Sequence, residues 1–189
     1  PRIPEIPGIS DSVGNRVYTC ATCDGGRHEL DGTNVIVYGG GRSAVSYARY
    51  VKSAGKDRTV TVMCRHAMRD PTEAMLLSSA GITVMPDTVI KSVAHEPAGL
   101  HISGDTAGAP FIRDASAIFL AAGSVPDLSF MAGVRHQFSP GKLNKYGATA
   151  YVDEYEDRGL YMCGSVLNGF YGVDLIVNQA AVCSASGIS

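Results

Sequence analysis

The residues with the clearest chemical potential lie near the start of the chain, in the run Cys20-Ala21-Thr22-Cys23-Asp24. Two cysteines separated by two residues can close a local disulfide, and pairs with this spacing often contain a thiol that ionises readily. An acid beside a redox thiol is well placed to move its proton. The motif therefore favours a redox-active pair, Cys20 and Cys23, with Asp24 serving proton transfer.

Two other interpretations of this motif stay open. A structural zinc site would need a second cysteine pair or a histidine pair at matching spacing. The other cysteines, Cys64, Cys163 and Cys183, are scattered, and no two histidines have that spacing. We predict that these three are small core residues. The pair itself could also be buried and inert, with Asp24 a simple turn residue.

A second motif is the glycine-rich turn Gly39-Gly40-Gly41-Arg42-Ser43-Ala44, between a predicted buried strand and a predicted helix. In dinucleotide-binding turns, the first glycine permits the tight turn and the second lets the backbone approach a pyrophosphate. A small third residue lets helix and strand pack closely. Gly39, Gly41 and Ala44 occupy these positions. The helix start, with Arg42 and Ser43, offers backbone N–H groups to phosphate. An ordinary strand–helix turn is the alternative.

The end of the next predicted strand bears on which nucleotide is bound. Sites for NAD usually place an acid there for the ribose hydroxyl, whereas sites for NADP place an arginine for the 2′-phosphate. This chain has Arg65, His66 and Arg69 at that point and no acid before Asp70. The pattern favours NADP(H). The alternative is that Arg65 and Arg69 form a solvated surface pair.

The elements around these motifs predict an α/β protein with a Rossmann-like parallel sheet, because strands and helices alternate. Short β runs divided by turns then predict an antiparallel meander. The predicted strands span 17–19, 34–38, 59–63, 82–85 and 117–121, the helices span 43–54 and 71–80, and the meander runs span 89–94, 100–103 and 111–113. Residues 1–16 are predicted to be extended, and a last strand (160–163) and helix (173–187) are predicted near the end.

Composition argues against binding to nucleic acid or to membranes and indicates the redox compartment. The formal net charge of -2 gives no electrostatic case for binding nucleic acid or an anionic membrane. No apolar run approaches the roughly 20 residues of a membrane-spanning helix. The 5 cysteines are an odd number in a chain long enough to fold without disulfide staples. A reducing compartment, the cytoplasm, is therefore expected.

Taken together, the motifs resemble those of the low-molecular-weight thioredoxin reductases, FAD- and NADPH-dependent flavoproteins of the pyridine nucleotide–disulfide oxidoreductase family. The resemblance depends on four runs in matching order from about Val17 onward. These are Cys-Ala-Thr-Cys-Asp-Gly from Cys20, Gly-Gly-Gly-x-Ser-Ala from Gly39, the arginine-rich strand end, and Ala-x-Gly-x-x-Pro from Ala121.

The resemblance implies an electron path from NADPH to FAD, then to the Cys20–Cys23 pair, and then to the disulfide of a thioredoxin-like protein. It implies that Cys23 lies toward the flavin, that Cys20 attacks the substrate disulfide and that Asp24 donates a proton. It also implies a homodimer in the full-length protein.

For the flavin, the resemblance implies contacts from Gly164 and Ser165 and from Gln179 and Ala180. Gly123, in the Ala-x-Gly-x-x-Pro run, is a further expected cofactor-binding residue. The sequence departs from the family pattern at two positions on the flavin side. Ser165 replaces the aspartate that binds FAD, and Asn178 replaces an arginine. In the arginine-rich run, which is one residue shorter here, Cys64 replaces a histidine and His66 replaces an arginine.

The domain expectation follows from the same resemblance. Residues 1–12 are a lead-in from an FAD domain, 13–126 an NADP-binding domain with the cysteine pair, and 127–189 an incomplete FAD-domain tail. The family's N-terminal FAD-binding glycine motif has no counterpart in the sequence, so a fragment with little turnover of its own is expected. The alternatives are a small-molecule dithiol/disulfide oxidoreductase that does not use NADPH, and a non-catalytic nucleotide-binding subunit of a complex.

Overall fold

A computed structural model describes residues 2–68, 70–123, 136–143 and 149–155. The chain divides into two compact units, Pro1–Gly123 and Ser124–Ser189. In chain order the helices are α1 (Ile9–Ser12), α2 (Ala21–Asp24), α3 (Arg42–Ser53) and α4 (Pro71–Ser79), with a 3-10 turn at His28–Leu30. The strands are β1 (Val17–Tyr18), β2 (Asn34–Tyr38), β3 (Thr59–Met63), β4 (Thr83–Met85), β5 (Thr88–Glu96), β6 (Gly99–Thr106), β7 (Ala109–Ala115), β8 (Ala117–Leu120), β9 (His136–Leu143) and β10 (Thr149–Tyr155).

The first unit is built on a parallel sheet with the strand order β1-β8-β2-β3-β4. Strand β2 lies at its centre and pairs in parallel with β3 on one side and β8 on the other. The chain leaves β2 toward β3 and β4, and returns to the other side of β2 only at β8. Ligands of open parallel sheets bind in the crevice at such a reversal, beyond the carboxyl ends of the strands.

Both faces of this sheet are covered, which explains why its central strands β8 and β2 carry the continuous apolar runs Ala117–Leu120 and Val35–Tyr38. Val35 and Val37 of β2 face one core, together with α3 and α4. Ile36 and Tyr38 face the opposite core, which contains residues of β5 and β6. The strands β5, β6 and β7 form a separate antiparallel sheet in that order. Helices therefore cover one face of the parallel sheet and the meander covers the other.

The predicted fold class is confirmed, with a parallel sheet and a separate antiparallel meander. Helix α3 buries Ala44, Val45, Ala48 and Val51, the apolar stripe seen in its sequence. The expectation of an extended lead-in over 1–16 was wrong in part, because α1 forms within it.

Sequence reasoning also missed α2, the 3-10 turn and the antiparallel pairing of β9 with β10 in the second unit. The predicted strand 160–163 and helix 173–187 lie outside the described residues. The assignment of the units to nucleotide- and flavin-binding domains stays a prediction. No helix among the described residues is long and apolar enough to cross a membrane.

Candidate redox and nucleotide site

The loops that carry the predicted site residues follow the carboxyl ends of four neighbouring parallel strands. Cys20 follows β1, Gly39 follows β2, Cys64 follows β3 and Ala121 follows β8. Carboxyl ends of parallel strands meet at one edge of the sheet, so these four loops share that edge. The fold therefore brings the cysteine motif and the glycine-rich turn to the same side of the first unit.

The cysteine pair forms a disulfide between Cys20 and Cys23. Cys20 is the N-cap of α2, and its Sγ accepts a hydrogen bond from the backbone N–H of Cys23 at 3.2 Å. Cys20 is half-buried and Cys23 is exposed, so the disulfide is open to a reaction partner. After reduction, the same N–H would stabilise negative charge on the Cys20 sulfur, because hydrogen bonds to an ionised acceptor are the stronger ones.

Asp24 ends α2 and is held by an arginine that sequence reasoning did not single out. The Nε and Nη2 atoms of Arg27 contact Asp24 Oδ1 at 2.9 and 2.8 Å. Arg27 also lies over the Tyr18 ring, 5.1 Å from its centroid, and donates to Glu29 at 3.2 Å. The carboxylate next to the disulfide is thus oriented by a fixed cation. Its predicted role in proton transfer stays a prediction.

The glycine-rich turn has the features that pyrophosphate binding needs. A Cβ on Gly39 would lie 2.3 Å from the carbonyl oxygen of Ala121, so this turn passes close to the loop after β8. A Cβ on Gly41 would meet no atom within 4 Å, which leaves open space beside the backbone. Within residues 2–68 and 70–123, the N–H groups of Arg42 and Ser43 at the start of α3 donate to no protein acceptor. They point to an anion site at a helix N-terminus.

A cleft of about 1120 Å³ opens at this turn. Seven of the predicted cofactor-binding residues line it: Gly39, Gly41, Arg42, Ser43, Arg65, His66 and Gly123. Ala44 is instead buried in the core beneath α3, where it lets helix and sheet pack closely. Cys20 and Cys23 do not line the cleft in the described part of the chain. Arg69, Gly164, Ser165, Gln179 and Ala180 lie outside the described residues.

Three acids, Glu5, Asp70 and Glu73, line the cleft together with Arg65 and His66. Glu73 approaches Arg42, with Oε1 and Nε 3.9 Å apart. Asp70 is the N-cap of α4. Its carboxylate accepts hydrogen bonds from the hydroxyl and backbone N–H of Thr72, which hold the pKa of Asp70 below its ordinary value.

The cleft fits a pyridine nucleotide. The close approach at Gly39, the open backbone at Gly41 and the free N–H groups suit a pyrophosphate, while Arg65 and His66 line the same cleft with polar groups suited to a 2′-phosphate. The residues predicted for the flavin all lie outside the described residues. Gly123, at the edge of the cleft, accepts a hydrogen bond from the Arg2 N–H at 2.8 Å.

Beyond Arg27, sequence reasoning missed two residues that contact the cysteine segment. The Tyr47 hydroxyl donates to the Thr19 carbonyl at 3.0 Å, and the guanidinium of Arg58 donates to the Gly25 and Arg27 carbonyls. Arg27 and Asp24 have the three-residue spacing of a helical ion pair, a signal that could have been used. Tyr47 and Arg58 lie far from the motif in sequence, so no sequence signal connected them with it.

Comparison with known proteins agrees with this geometry. The sequence profile described as "Pyridine nucleotide-disulphide oxidoreductase" matches residues 1–187. This chain belongs to that family. The resemblance in its motifs is thereby confirmed, and membership of the family implies flavin and pyridine nucleotide cofactors.

Several thioredoxin reductases are similar to this chain. That of Mycolicibacterium smegmatis is 26% identical over 187 residues, covering 96% of this chain and 56% of the relative. That of Dictyostelium discoideum is 25% identical over 174 residues, covering 88% of this chain and 52% of the relative. The chain therefore spans about half the length of the curated relatives it matches. The fold matches the crystal structure of Lactococcus lactis thioredoxin reductase with a TM-score of 0.76 at 21% identity, over 99% of this chain and 61% of the other.

Proposed function

We propose that this chain is the nucleotide-binding, disulfide-bearing part of a thioredoxin reductase-like flavoprotein. Its reaction is the reduction of a thioredoxin-type protein disulfide by NADPH, in a reducing compartment such as the cytoplasm. When bound, NADPH and FAD would supply the hydride and the two-electron relay that reduce the Cys20–Cys23 disulfide. The family profile and the thioredoxin reductases among its relatives support the proposal.

One observation supports this function most directly. The Cys20–Cys23 disulfide is open to solvent on a short helix, and it follows β1 at the same sheet edge as the glycine-rich turn after β2. A structural staple has no need of solvent or of a neighbouring nucleotide turn. A disulfide that exchanges electrons with a second protein needs both access and an electron source.

The chain's own residues define the step at the substrate. The Cys20 thiolate, stabilised by the Cys23 N–H, attacks one sulfur of the partner disulfide, and the other partner sulfur leaves as a thiolate. Cys23 then attacks Cys20 in the mixed disulfide, which re-forms the Cys20–Cys23 bond and releases the second partner sulfur. Two electrons pass to the partner, and protons complete its dithiol. We propose that Asp24 and solvent supply these protons.

Trapping of the mixed disulfide tests this assignment on the chain itself. In the Cys23→Ser variant the resolving thiol is absent. A thioredoxin that keeps only its reactive cysteine, activated as a mixed disulfide with thionitrobenzoate, should therefore be attacked by Cys20, release thionitrobenzoate and remain cross-linked to the chain. The Cys20→Ser variant should form at least about tenfold less of it, because its remaining thiol lacks the stabilising N–H. Non-reducing electrophoresis and peptide mass spectrometry measure the yield and the cysteine used.

The same experiment can contradict the assignment in two ways. A cross-link formed mainly by Cys20→Ser would reverse the roles of the two cysteines. No cross-link from either variant, although both are folded by circular dichroism, would remove thioredoxin-type proteins as partners. Wild-type chain is the matched control and should reduce thioredoxin stoichiometrically after its own reduction by dithiothreitol, leaving no cross-link.

A further inference from the structure

The side chain of Arg58 is completely buried, directly before β3. Its Nη1 donates to the carbonyls of Gly25 and Val51, the latter at 3.1 Å, and its Nη2 donates to the carbonyl of Arg27 at 2.7 Å. Its Nε donates to Asp31 Oδ1 at 3.0 Å. A guanidinium has five N–H groups in a fixed plane, so four acceptors satisfy nearly all of them. The buried charge is therefore both paired and hydrogen-bonded.

Three of these four acceptors lie in the segment that follows the cysteine motif. Gly25 is the C-cap of α2, Arg27 holds the carboxylate of Asp24, and Asp31 ends the 3-10 turn. The fourth acceptor, Val51, belongs to α3. Arg58 thus joins the C-terminal end of the redox helix to the helix and strand that follow the glycine-rich turn.

The N-terminal end of the same helix is held separately. The Tyr47 hydroxyl of α3 donates to the Thr19 carbonyl, and Ala21 is buried against the core. Helix α2 has only 4 residues, and an isolated helix of that length does not form in water. Contacts at its two ends therefore decide whether it exists. Its existence in turn decides whether the Cys23 N–H reaches the Cys20 sulfur.

We propose that Arg58 is a positioning residue for the redox cysteines. It keeps α2 formed and seated, so that after reduction the Cys23 N–H still stabilises the Cys20 thiolate. This inference depends on the proposed function, because the role given to Arg58 is to maintain the reactivity of Cys20. Arg58 does not touch the reacting sulfurs, and it acts through the carbonyls of Gly25 and Arg27.

The sequence around Arg58 provides the space that this arrangement needs. A Cβ on Gly55 would lie 1.8 Å from Arg58 Nε and 1.9 Å from its Cζ. Asp31 balances the charge of Arg58 at 2.8 Å from Nη2. Because the charge is neutralised locally, the effect of Arg58 on Cys20 operates through the position of α2 rather than through a long-range field.

The test measures the reactivity of single cysteines in the full chain. Wild type, Arg58→Met, Arg58→Lys and the control Arg49→Met are reduced, and iodoacetamide alkylation is followed by peptide mass spectrometry from pH 5.5 to 9. Arg49 is exposed on α3 and makes no side-chain hydrogen bond within the described residues. Cys64, which is buried, reports in the same sample on any general loosening of the fold.

We expect Arg58→Met to lower the alkylation rate of Cys20 at pH 7 by at least about threefold and to move its pH profile upward, because less thiolate is present. Cys64 should remain protected. Arg58→Lys, which keeps the charge but reaches fewer carbonyls, should fall between Arg58→Met and wild type. Arg49→Met should match wild type.

Unchanged Cys20 reactivity in both Arg58 variants would overturn the inference. So would a rise in Cys64 alkylation without the fall at Cys20, since that pattern belongs to a purely structural residue. If Arg58→Met does not fold, the comparison of Arg58→Lys with wild type decides. Failure of the proposed function looks different, because the Cys23→Ser variant would then form no mixed disulfide with thioredoxin, whereas the effect of Arg58 on Cys20 alkylation would remain.

Discussion

The chemistry of single thiols in this chain depends on the polar atoms around them. Cys20 caps a helix and accepts a backbone N–H, whereas Cys64, just after β3, is 1% exposed and free. Burial raises the pKa of the Cys64 thiol, and the nearby Asp87 carboxylate raises it further. Cys64 therefore stays protonated near neutral pH.

From this contrast we predict that Cys64 is the less reactive thiol. After reduction, iodoacetamide at pH 7 should alkylate Cys64 at least about tenfold more slowly than Cys20, because the thiolate is the nucleophile and Cys64 forms little of it. Timed quenching and peptide mass spectrometry give both rates from one sample. Alkylation in urea provides the control, since the two rates should then converge. Equal rates in the folded chain would contradict the assigned environments.

At the level of elements, the turn between β2 and α3 has two glycines with separate tasks. Gly39 has a φ of 153° and lies against the Ala121 carbonyl, so it is needed for the chain to fold there. Gly41 has an ordinary extended backbone and open space around it. A side chain at Gly41 would therefore obstruct a bound pyrophosphate and not the fold.

Alanine substitutions should separate these tasks. Gly39→Ala should lose about 1–3 kcal/mol of unfolding free energy, because its Cβ collides with backbone that cannot easily move. Gly41→Ala should lose less than about 1 kcal/mol, the usual effect of a poorer N-cap. It should nevertheless bind NADPH at least about tenfold more weakly, since the backbone can no longer approach the phosphates.

Urea unfolding and calorimetric titration with NADPH and NADH measure these two effects. Wild type should bind NADPH more tightly than NADH if Arg65 and His66 contact the 2′-phosphate, despite the neighbouring Asp70 and Glu73. Binding of both nucleotides by Gly41→Ala with wild-type affinity would remove this cleft as the nucleotide site. Wild-type stability of Gly39→Ala would contradict the close approach to Ala121.

For the first unit as a whole, Asp31 links distant parts of the chain. Its carboxylate accepts the Lys56 N–H at 3.0 Å, pairs with Arg58 and lies 3.5 Å from His28. The Lys56 hydrogen bond is the largest of the influences that hold the pKa of Asp31 below its ordinary value, and Arg58 and His28 lower it further. A lowered pKa means that this stabilisation is fully present above the unfolded value of about 4 and is lost as pH falls below it.

We therefore predict acid sensitivity that depends partly on Asp31. The urea concentration at the unfolding midpoint of wild type should decrease as the pH is lowered from 5 to 3. Asp31→Asn should be less stable at pH 7, because Arg58 loses its counter-charge, and should lose less stability between pH 5 and pH 3. Far-UV circular dichroism follows unfolding, with exposed Asp11→Asn as the matched control. If Asp31→Asn loses as much stability between pH 5 and pH 3 as wild type does, other carboxylates are responsible for the acid sensitivity.

Much of the fold and of the candidate site could be predicted from local sequence. Strand β2 was recognisable because every residue in Val35–Tyr38 is apolar, as expected for a strand covered on both faces. The cysteine spacing allowed a local disulfide, and the glycine spacing of the turn predicted a nucleotide-binding cleft. These features are encoded within a few residues, so no knowledge of the path of the chain is needed to recognise them.

Other parts depended on contacts between residues far apart in sequence. Arg58 donates to acceptors 27, 31 and 33 residues away, and nothing in the turn Gly55-Lys56-Asp57 signals a buried arginine. Helix α2 is too short to form by its own propensity. The sequence by itself determined which residues can do redox chemistry and bind a nucleotide. The tertiary structure decided how the redox helix is held, because hydrogen bonds to carbonyls depend on where the folded chain places them and not on side-chain type.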